Sequence, residues 1–427
     1  MNAVSSSKST GLFFRALSHR NYRLFFGGQG ISLIGTWMQQ IAMNWLVYRL
    51  THSPFLLGVV GFTTRIPTFV LASFAGVLAD RWNRHRTLVV TQTLSMIQAM
   101  ILALLVLTDR IAIWQVIALS VFLGFINALD IPVRQSFVVD MIERREDLGN
   151  AIALNSSMVN GARLLGPSLA GVLIATLGEG MCFLLNGLSF IAVIWALLAM
   201  RISPQKRETH SSRFFEGLKE GFSYAFGSVP IRSLLLLLAL VSLMGMPYTI
   251  LMPVFAVQIL GGGPRSLGFL LGAVGVGALG GTFYLASRRT VPGLERIIPM
   301  AAGIFGIGLV AFSVSRVLWL SLILMFVTGF GMIVQMAATN TILQTLVEED
   351  KRGRVMSFYT MAFMGMVPFG SFLSGSLAGW LGAPGTVMLG GWTCILGSLL
   401  FTWRLPALRE MTTPIYAKRG ILTEKRM

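Results

Sequence analysis

Apolar runs of roughly 20 residues follow one another along nearly the whole chain, separated by short polar connections. The run 87–108 has no charged residue, and the run 55–75 has one, Arg65. A helix needs about 20 mostly apolar residues to cross a bilayer. Lipid admits only helices and closed barrels as spanning structures, and these runs lack the alternation of a barrel strand. The sequence therefore predicts an all-α membrane protein.

Composition agrees with this prediction, since 54% of the 427 residues are hydrophobic and only 12% are charged, with a mean hydropathy of +0.73. Soluble domains carry about 25% charged residues. Twelve transmembrane helices are expected, in two pseudo-symmetric bundles of six. The predicted spans are 23–49, 54–78, 87–108, 112–134, 149–177, 180–200, 231–257, 266–286, 297–315, 318–342, 355–381 and 385–404.

The distribution of basic residues predicts the orientation. Of the 34 Lys and Arg residues, 28 lie on the side of the two termini and four lie in the opposite loops. Positive loops favour the cytoplasm, so both termini are expected there, with the protein multi-pass in the plasma (inner) membrane. Orientation also accounts for the net charge of +17, which gives no reason to expect a nucleic-acid partner.

The chain is expected to divide into five parts. These are an N-terminal cytoplasmic tail (1–22), a six-helix bundle (23–200), a basic cytoplasmic linker (201–230), a second six-helix bundle (231–404) and a C-terminal cytoplasmic tail (405–427). A shift of about 205 residues aligns the halves, and it matches the Gly-Phe pair at 124–125 with the pair at 329–330. Such a repeat predicts a substrate path between the halves, near the membrane midplane.

A charged connection, GVLADRWNRHR at residues 76–86, interrupts the apolar sequence between spans 2 and 3. Its pattern resembles the loop signature of the major facilitator superfamily, with Asn83 where the family usually has glycine. Asn tolerates left-handed backbone geometry, which makes a similar turn plausible. The stretches "DIPVRQSF", "NAIALNS" and "ARLLGPSLAG" are similar to the exporter branch that contains enterobactin exporters and transmembrane secretion effectors.

The resemblance implies a twelve-helix transporter with a cytoplasmic gate. In the family, Asp80, Arg84 and an acid near the cytoplasmic end of span 4, here Asp130, form a charge relay. The alternative is a surface ion pair of little energetic value. The candidate gating residues are Gly76, Asp80, Arg81, Arg84, Asp130 and Arg134. Span 5 resembles the family's antiporter motif without its paired final glycines, and the matching residues are Gly161, Gly166, Pro167 and Gly171.

Two arginines are expected deep inside spans, Arg65 in span 2 and Arg163 in span 5. An arginine at a helix centre costs about 3 kcal/mol on insertion scales, so these residues are expected to face the bundle interior. There they would suit an anionic substrate, such as a carboxylate or a catecholate. The alternative is that each caps backbone carbonyls beside Pro67 or Pro167.

Further candidates for the substrate path are Gln40, Asn44, Tyr248 and Gln335. Thr36, Gln40 and Asn44 repeat every four residues and so share one helix face, although interhelical hydrogen bonding would explain them equally well. Asp130 is the one acid placed within a predicted span, so proton exchange, if present, is expected to involve Asp130 or Asp80. Glycines in span 8, at positions that include 277, 280 and 281, predict close approach to a neighbouring helix.

The leading interpretation is a secondary exporter of a small siderophore-like or drug-like molecule, working by alternating access either with or without exchange for protons. A metabolite importer or facilitator of the same fold is the alternative, and a non-transporting membrane sensor or scaffold is the alternative of another class. No enzymatic chemistry, cofactor or metal site is predicted. The expected partners are the substrate, the bilayer and, if transport is proton-coupled, protons, and a monomer is the default.

Overall fold

The computed structural model describes residues 14–201, 214–288, 291 and 293–418, with side chains at all of these except 72–81, 214–220, 350 and 412–418. The described backbone is almost entirely helical and contains no strand. Parts of the predicted tails and of the predicted linker lie outside these residues.

Six long helices form the first half of the chain. They are α1 (Arg20–Thr51), α2 (Pro54–Arg81), α3 (Arg84–Leu107), α4 (Ile113–Asp140), α5 (Leu148–Leu177) and α6 (Glu179–Leu198). Pro54 stands at the first turn of α2, where its missing N–H is not needed, and the Ser53 hydroxyl accepts a hydrogen bond from Leu56 N–H at 3.3 Å. The connections are short, so consecutive helices run in opposite directions.

The second half contains both short and long helices. They are α7 (Phe214–Gly227), α8 (Val229–Leu240), α9 (Tyr248–Val254), α10 (Pro264–Ala286), α11 (Leu294–Val314), α12 (Leu318–Leu346), α13 (Glu349–Thr360) and α14 (Met366–Lys418). Turns of π-helix follow three of these helices, at Val241–Gly245, Phe255–Ile259 and Met361–Gly365. Such turns appear frequently at functional sites.

The twelve predicted spans correspond to these helices. Ten helical stretches of the described residues are long and apolar enough to cross a membrane. One of them, Lys351–Met411, is 61 residues long and is interrupted at Gly382, so it holds two spans. The remaining span is α1, whose 32 residues suffice for a crossing and whose polar side chains lower its hydropathy.

Two glycines give structural support to the internal repeat. Gly178 joins α5 to α6 with φ 80° and ψ 165°, and Gly382 interrupts α14 with φ 71° and ψ 166°. This backbone conformation is essentially restricted to glycine. The two positions are related by the shift of 204 that also relates Gly166 to Gly370. Both halves therefore make the turn before their last span in the same way.

Contacts divide the chain into two compact units, Met1–Thr51 with Thr63–His210 and His52–Phe62 with Ser211–Met427. In the first unit, aromatic and aliphatic side chains of α1, α3, α4 and α5 form a core around Tyr22, Phe25 and Phe137. In the second unit, the linker helix α7 packs on α13: Phe222 stacks on Phe226 at 4.3 Å, and Phe358 meets both rings edge-on.

Two helices continue well beyond the predicted ends of their spans. Span 4 was expected to end at residue 134, but α4 continues to Asp140, and span 12 was expected to end at 404, but α14 continues to Lys418. In α4 the charge of Arg134 is neutralised by Asp130, one turn earlier, at 3.2 Å. Asp130 consequently lies ten residues, or about 15 Å, from the end of its helix.

Candidate substrate path and gate

Arg65 lies deep in the first unit, and no described residue offers it a compensating charge. It follows Pro54 by eleven residues, so it is about 16 Å along α2. Its side chain is half-buried, and among the described residues it makes no hydrogen bond and no ion pair. The charged group that acts on it is another cation, the guanidinium of Arg163. The two predicted arginines are therefore brought into one neighbourhood.

Arg163 lies on α5 at a similar depth, fourteen residues before Leu177, or about 21 Å from that end. Its guanidinium carbon is 5.7 Å from the centre of the Trp37 ring, within the range of a cation–π contact. Gly166 permits this approach of α5 to α1, because a Cβ there would lie 3.1 Å from the Ile34 carbonyl oxygen. A Cβ at Gly161, by contrast, would meet no described residue of another helix within 4 Å. The two remaining residues of the span 5 motif, Pro167 and Gly171, are buried.

Gln40 and Asn44 follow Trp37 by three and seven residues and so share its face of α1. Both side chains are half-buried, and neither makes a hydrogen bond to any described residue. The neighbouring Gln39 is different: it is buried, it donates to Gln98 Oε1 at 3.0 Å, and it accepts from Asn186 Nδ2 at 2.7 Å. Gln39 is thus the residue of this segment that makes interhelical hydrogen bonds. It was not among the residues predicted from the sequence.

In the second unit, Tyr248 and Gln335 are both fully buried. The ring of Tyr248 meets Phe305 edge-on at 6.2 Å. Gln335 lies one turn after Gly331, where a Cβ would be 2.8 Å from the Phe305 backbone nitrogen. The Gln335 Nε2 has no hydrogen-bond partner among the described residues. A buried amide without a partner is costly, so Gln335 stays a candidate for the substrate path.

The gate candidates form two neighbouring sets of contacts in the first unit. Arg84 donates to the backbone oxygen of Ser136 at 3.1 Å, and its Nη1 lies 3.4 Å from Asp140 Oδ2. Asp140 is not among the gating residues predicted from the sequence, because span 4 was expected to end before it. The side chains of three other gate candidates, Gly76, Asp80 and Arg81, lie outside the described part of the structure.

Asp130 has its own set of partners, and Arg84 is not among those recorded. Its Oδ1 accepts hydrogen bonds from Thr91 Oγ1 at 2.8 Å and from Gln92 Nε2 at 2.7 Å, and its Oδ2 lies 3.2 Å from Arg134 Nη2. The Asp130 residue is 3% exposed. A buried carboxylate with one cation and two neutral donors is fully satisfied. It is therefore a second charged centre, separate from the Arg84–Asp140 contact.

Asn83 does not adopt the left-handed geometry suggested by its place in the loop pattern. Its φ is −69° and its ψ is 107°, and its side-chain oxygen accepts from Arg86 N–H at 3.0 Å. It is thus the N-cap of α3, a position for which Asn is among the preferred residues.

Two buried acids outside the predicted path anchor the ends of helices. Asp147 lies 3.1 Å from His19 Nε2, which ties the start of α1 to the connection before α5. Glu179, at the start of α6, accepts from Arg49 Nε at 2.6 Å. These partners are well over a hundred residues apart in sequence, and no local signal pairs them. Among the described residues no group of His, Cys, Asp and Glu could hold a metal ion.

Comparison with known proteins gives the family. The model of the transmembrane secretion effector family matches residues 13–418. The staphyloferrin A transporter of Staphylococcus aureus is 26% identical over 89% of this chain and 95% of its own length. The enterobactin exporter EntS of Citrobacter koseri is 24% identical over 93% and 94%. The multidrug efflux pump Tap of Mycolicibacterium fortuitum is 23% identical over 90% and 93%.

Solved structures agree on the fold. A POT family transporter in complex with 5-aminolevulinic acid has a TM-score of 0.73 at 12% identity, over 91% of this chain and 96% of that one. An inward-facing bacterial homologue of the iron transporter ferroportin has a TM-score of 0.69 at 18% identity, over 90% and 98%. The predicted twelve-helix fold is confirmed, and so is the predicted class of protein. The chain belongs to the transmembrane secretion effector family, a group of membrane transporters within the major facilitator superfamily.

Proposed function

We propose that this transporter exports a small organic anion from the cytoplasm in exchange for protons, by alternating access. The observation that carries the proposal is Arg65, a cation inside a span whose charged neighbour is a second cation. An arginine at a helix centre costs about 3 kcal/mol even on favourable scales. A group retained at that cost is a candidate for function, and a bound anion would offset it.

The alternative role, capping of backbone carbonyls beside Pro67, has no support, since Arg65 makes no hydrogen bond to any described residue. Arg163 supplies the second positive charge, held against the face of Trp37. Gln40 and Asn44 add neutral donors and acceptors on the same face of α1. Two cations with adjacent amides suit a ligand that bears a carboxylate or catecholate among other polar groups.

Asp130 is the proposed proton carrier, because it is the one acid within a predicted span and its residue is buried. Thr91 and Gln92 occupy one oxygen, and Arg134 occupies the other. A proton arriving on the second oxygen would displace Arg134, whose side chain is 24% exposed. Arg134 lies on the same end of α4 as Ser136 and Asp140, which contact Arg84. Movement of Arg134 away from Asp130 would therefore affect the proposed gate through a single helix.

The relatives named above handle siderophores and drugs, as their names state. A siderophore-like or drug-like anion is therefore the proposed substrate class, and export is the proposed direction. The proposed orientation has both termini in the cytoplasm of a bacterial plasma membrane, on the strength of the Lys and Arg asymmetry.

Transport by purified protein in sealed vesicles tests the proposal. A catecholate, a tricarboxylate, a lipophilic cation and a neutral drug would each be offered with and without an imposed proton gradient. We expect gradient-driven movement of the anions. Arg65→Gln should lower their transport at least tenfold, while Arg65→Lys keeps a substantial part of it. Arg110→Gln, an exposed arginine in a loop, is the matched control. Preference for the cation, unaffected by Arg65→Gln, would refute the anion site.

The proton step needs a separate experiment. Asp130→Asn retains an oxygen that can accept from Thr91 and Gln92 but removes the carboxylate that is proposed to carry the proton. We expect it to abolish gradient-driven transport while leaving exchange of labelled for unlabelled substrate across the membrane. Gradient-driven transport at the normal rate by Asp130→Asn would exclude Asp130 as the proton carrier.

A further inference from the structure

A groove opens between α3 and α4 on the first unit, apart from the arginine pair. It holds a cavity of about 570 Å³. Its walls are apolar, and three of the wall side chains, Val90, Phe122 and Phe125, are 55%, 37% and 50% exposed. Helices α3 and α4 are long and apolar enough to span a membrane, and exposed apolar side chains on such helices suit contact with acyl chains. The body of the groove is therefore a place for hydrocarbon.

One end of the groove is polar and positively charged. Arg86, on the first turn of α3, lines it and is exposed. Among the described residues the guanidinium of Arg86 has no acidic partner and no hydrogen bond. Trp82, 51% exposed, lines the same end. Tryptophan and arginine at the end of a spanning helix are typical of the level of lipid headgroups.

A groove with a hydrocarbon-facing body and, at headgroup level, a cation that has no counter-charge among the described residues selects for a molecule with both features. A zwitterionic lipid satisfies the apolar walls but brings its own cation to Arg86. A soluble anion would pair with Arg86 but would make no contact with the apolar walls. An anionic phospholipid matches both, and a basic residue near the surface contributes about a fivefold preference for such lipids.

The groove also reaches the buried charge centre. Thr91 lines it, and the same Thr91 hydroxyl donates to Asp130 at 2.8 Å. Thr91 and Asp130 are themselves buried, so an acyl chain in the groove would pack against the side chain that donates to the Asp130 carboxylate.

We infer that the groove between α3 and α4 is a binding site for one anionic phospholipid, with its headgroup on Arg86 and an acyl chain along Val90, Phe122 and Phe125. In the proposed orientation the lipid comes from the cytoplasmic leaflet. The site is independent of the proposed substrate and of the direction of transport.

Lipid retention by the full-length protein tests the inference. The protein would be released for native mass spectrometry from bilayers containing equal amounts of phosphatidylglycerol and phosphatidylcholine. We expect one retained phosphatidylglycerol per protein. Arg86→Gln should lower the ratio of retained phosphatidylglycerol to phosphatidylcholine about fivefold. Arg144→Gln, exposed on the same side of the membrane and outside the groove, should leave the ratio unchanged.

A second variant tests the apolar body of the groove. Leu94 lines it, and Leu94→Trp should fill it without removing charge. With a photoreactive phosphatidylglycerol, we expect labelling of residues 82–94 in the unaltered protein and its loss in Leu94→Trp, at an unchanged unfolding temperature. Equal retention of both lipids, equal effects of Arg86→Gln and Arg144→Gln, or labelling confined to other helices would each overturn the site. None of these readouts requires transport, so they remain decisive if the proposed function fails.

Discussion

Glycine at position 277 allows two spans of the second unit to touch backbone to backbone. A Cβ at Gly277 would lie 2.8 Å from the carbonyl carbon of Phe326, and a Cβ at Gly329 would lie 2.8 Å from the carbonyl carbon of Val274. Non-bonded carbon atoms rest at about 3.5–4.0 Å. Gly277→Ala therefore forces α10 and α12 apart by most of an ångström, because a backbone carbonyl cannot rotate away as a side chain would.

The magnitude follows from two opposed terms. Overpacking a close contact costs about 1–3 kcal/mol, and the backbone obstacle favours the upper end. Alanine in place of glycine in a helix returns about 1 kcal/mol. Gly277→Ala should thus lower the free energy of unfolding by about 2 kcal/mol. Gly280→Ala is the matched control on the same helix, where the nearest atoms are 3.8 Å away, and it should be neutral or stabilising by up to about 1 kcal/mol.

Reversible unfolding of the purified protein in mixed detergent micelles measures both variants against the unaltered chain. A separation of about 3 kcal/mol between the two alanine variants is the expected result. If Gly277→Ala unfolds at the same denaturant concentration as Gly280→Ala, the close approach of α10 and α12 is not as described, and the reasoning from glycine contacts fails.

Three further predictions concern the first unit. Arg84→Gln and Asp140→Asn should each slow transport, and the double variant should be less impaired than the sum of the singles, as a double-mutant cycle would measure. Gln39→Leu leaves buried amides without partners and should lower stability by about 1–3 kcal/mol, whereas Gln40→Leu should retain thermal stability and lose transport rate; the opposite pattern would reverse their assigned roles. His19→Ala removes the nearer of two partners of the buried Asp147 carboxylate, the other being Arg15 at 3.8 Å, and should speed hydrogen exchange at the start of α1 without changing exchange in α4; unchanged exchange at α1 would contradict the anchor.

Much of the fold could be predicted because lipid imposes a simple rule on the sequence. Each span needs a continuous apolar run, and each connection is polar, so spans and connections alternate visibly. The error at span 4 has a physical cause. A charged residue was taken as the end of a span, yet Arg134 is neutralised by Asp130 within the same helix. The ion pair between Arg134 and Asp130 would have to be known before the predicted helix could be extended to Asp140.

The candidate site could be predicted only in part. Periodicity correctly places Gln40 and Asn44 on one face of α1, but it does not state that Gln39, one residue earlier, carries the buried hydrogen bonds. That distinction depends on Gln98 and Asn186, which belong to other helices. Likewise, the depth of Arg65 follows from counting residues, whereas its lack of a counter-ion depends on every helix around it.

The charge of Arg65, which no described residue compensates, has a consequence for how this protein can be engineered. If Arg65 binds the proposed anionic substrate, the charge that lowers stability in the empty protein is the charge that supports activity, so the two properties conflict. Replacing Arg65 with leucine should therefore give a chain that inserts and folds more readily than the natural one and transports less. Selection for thermostable variants would be expected to find this position early, and a stabilised protein obtained in that way would have lost the residue that the proposed substrate requires.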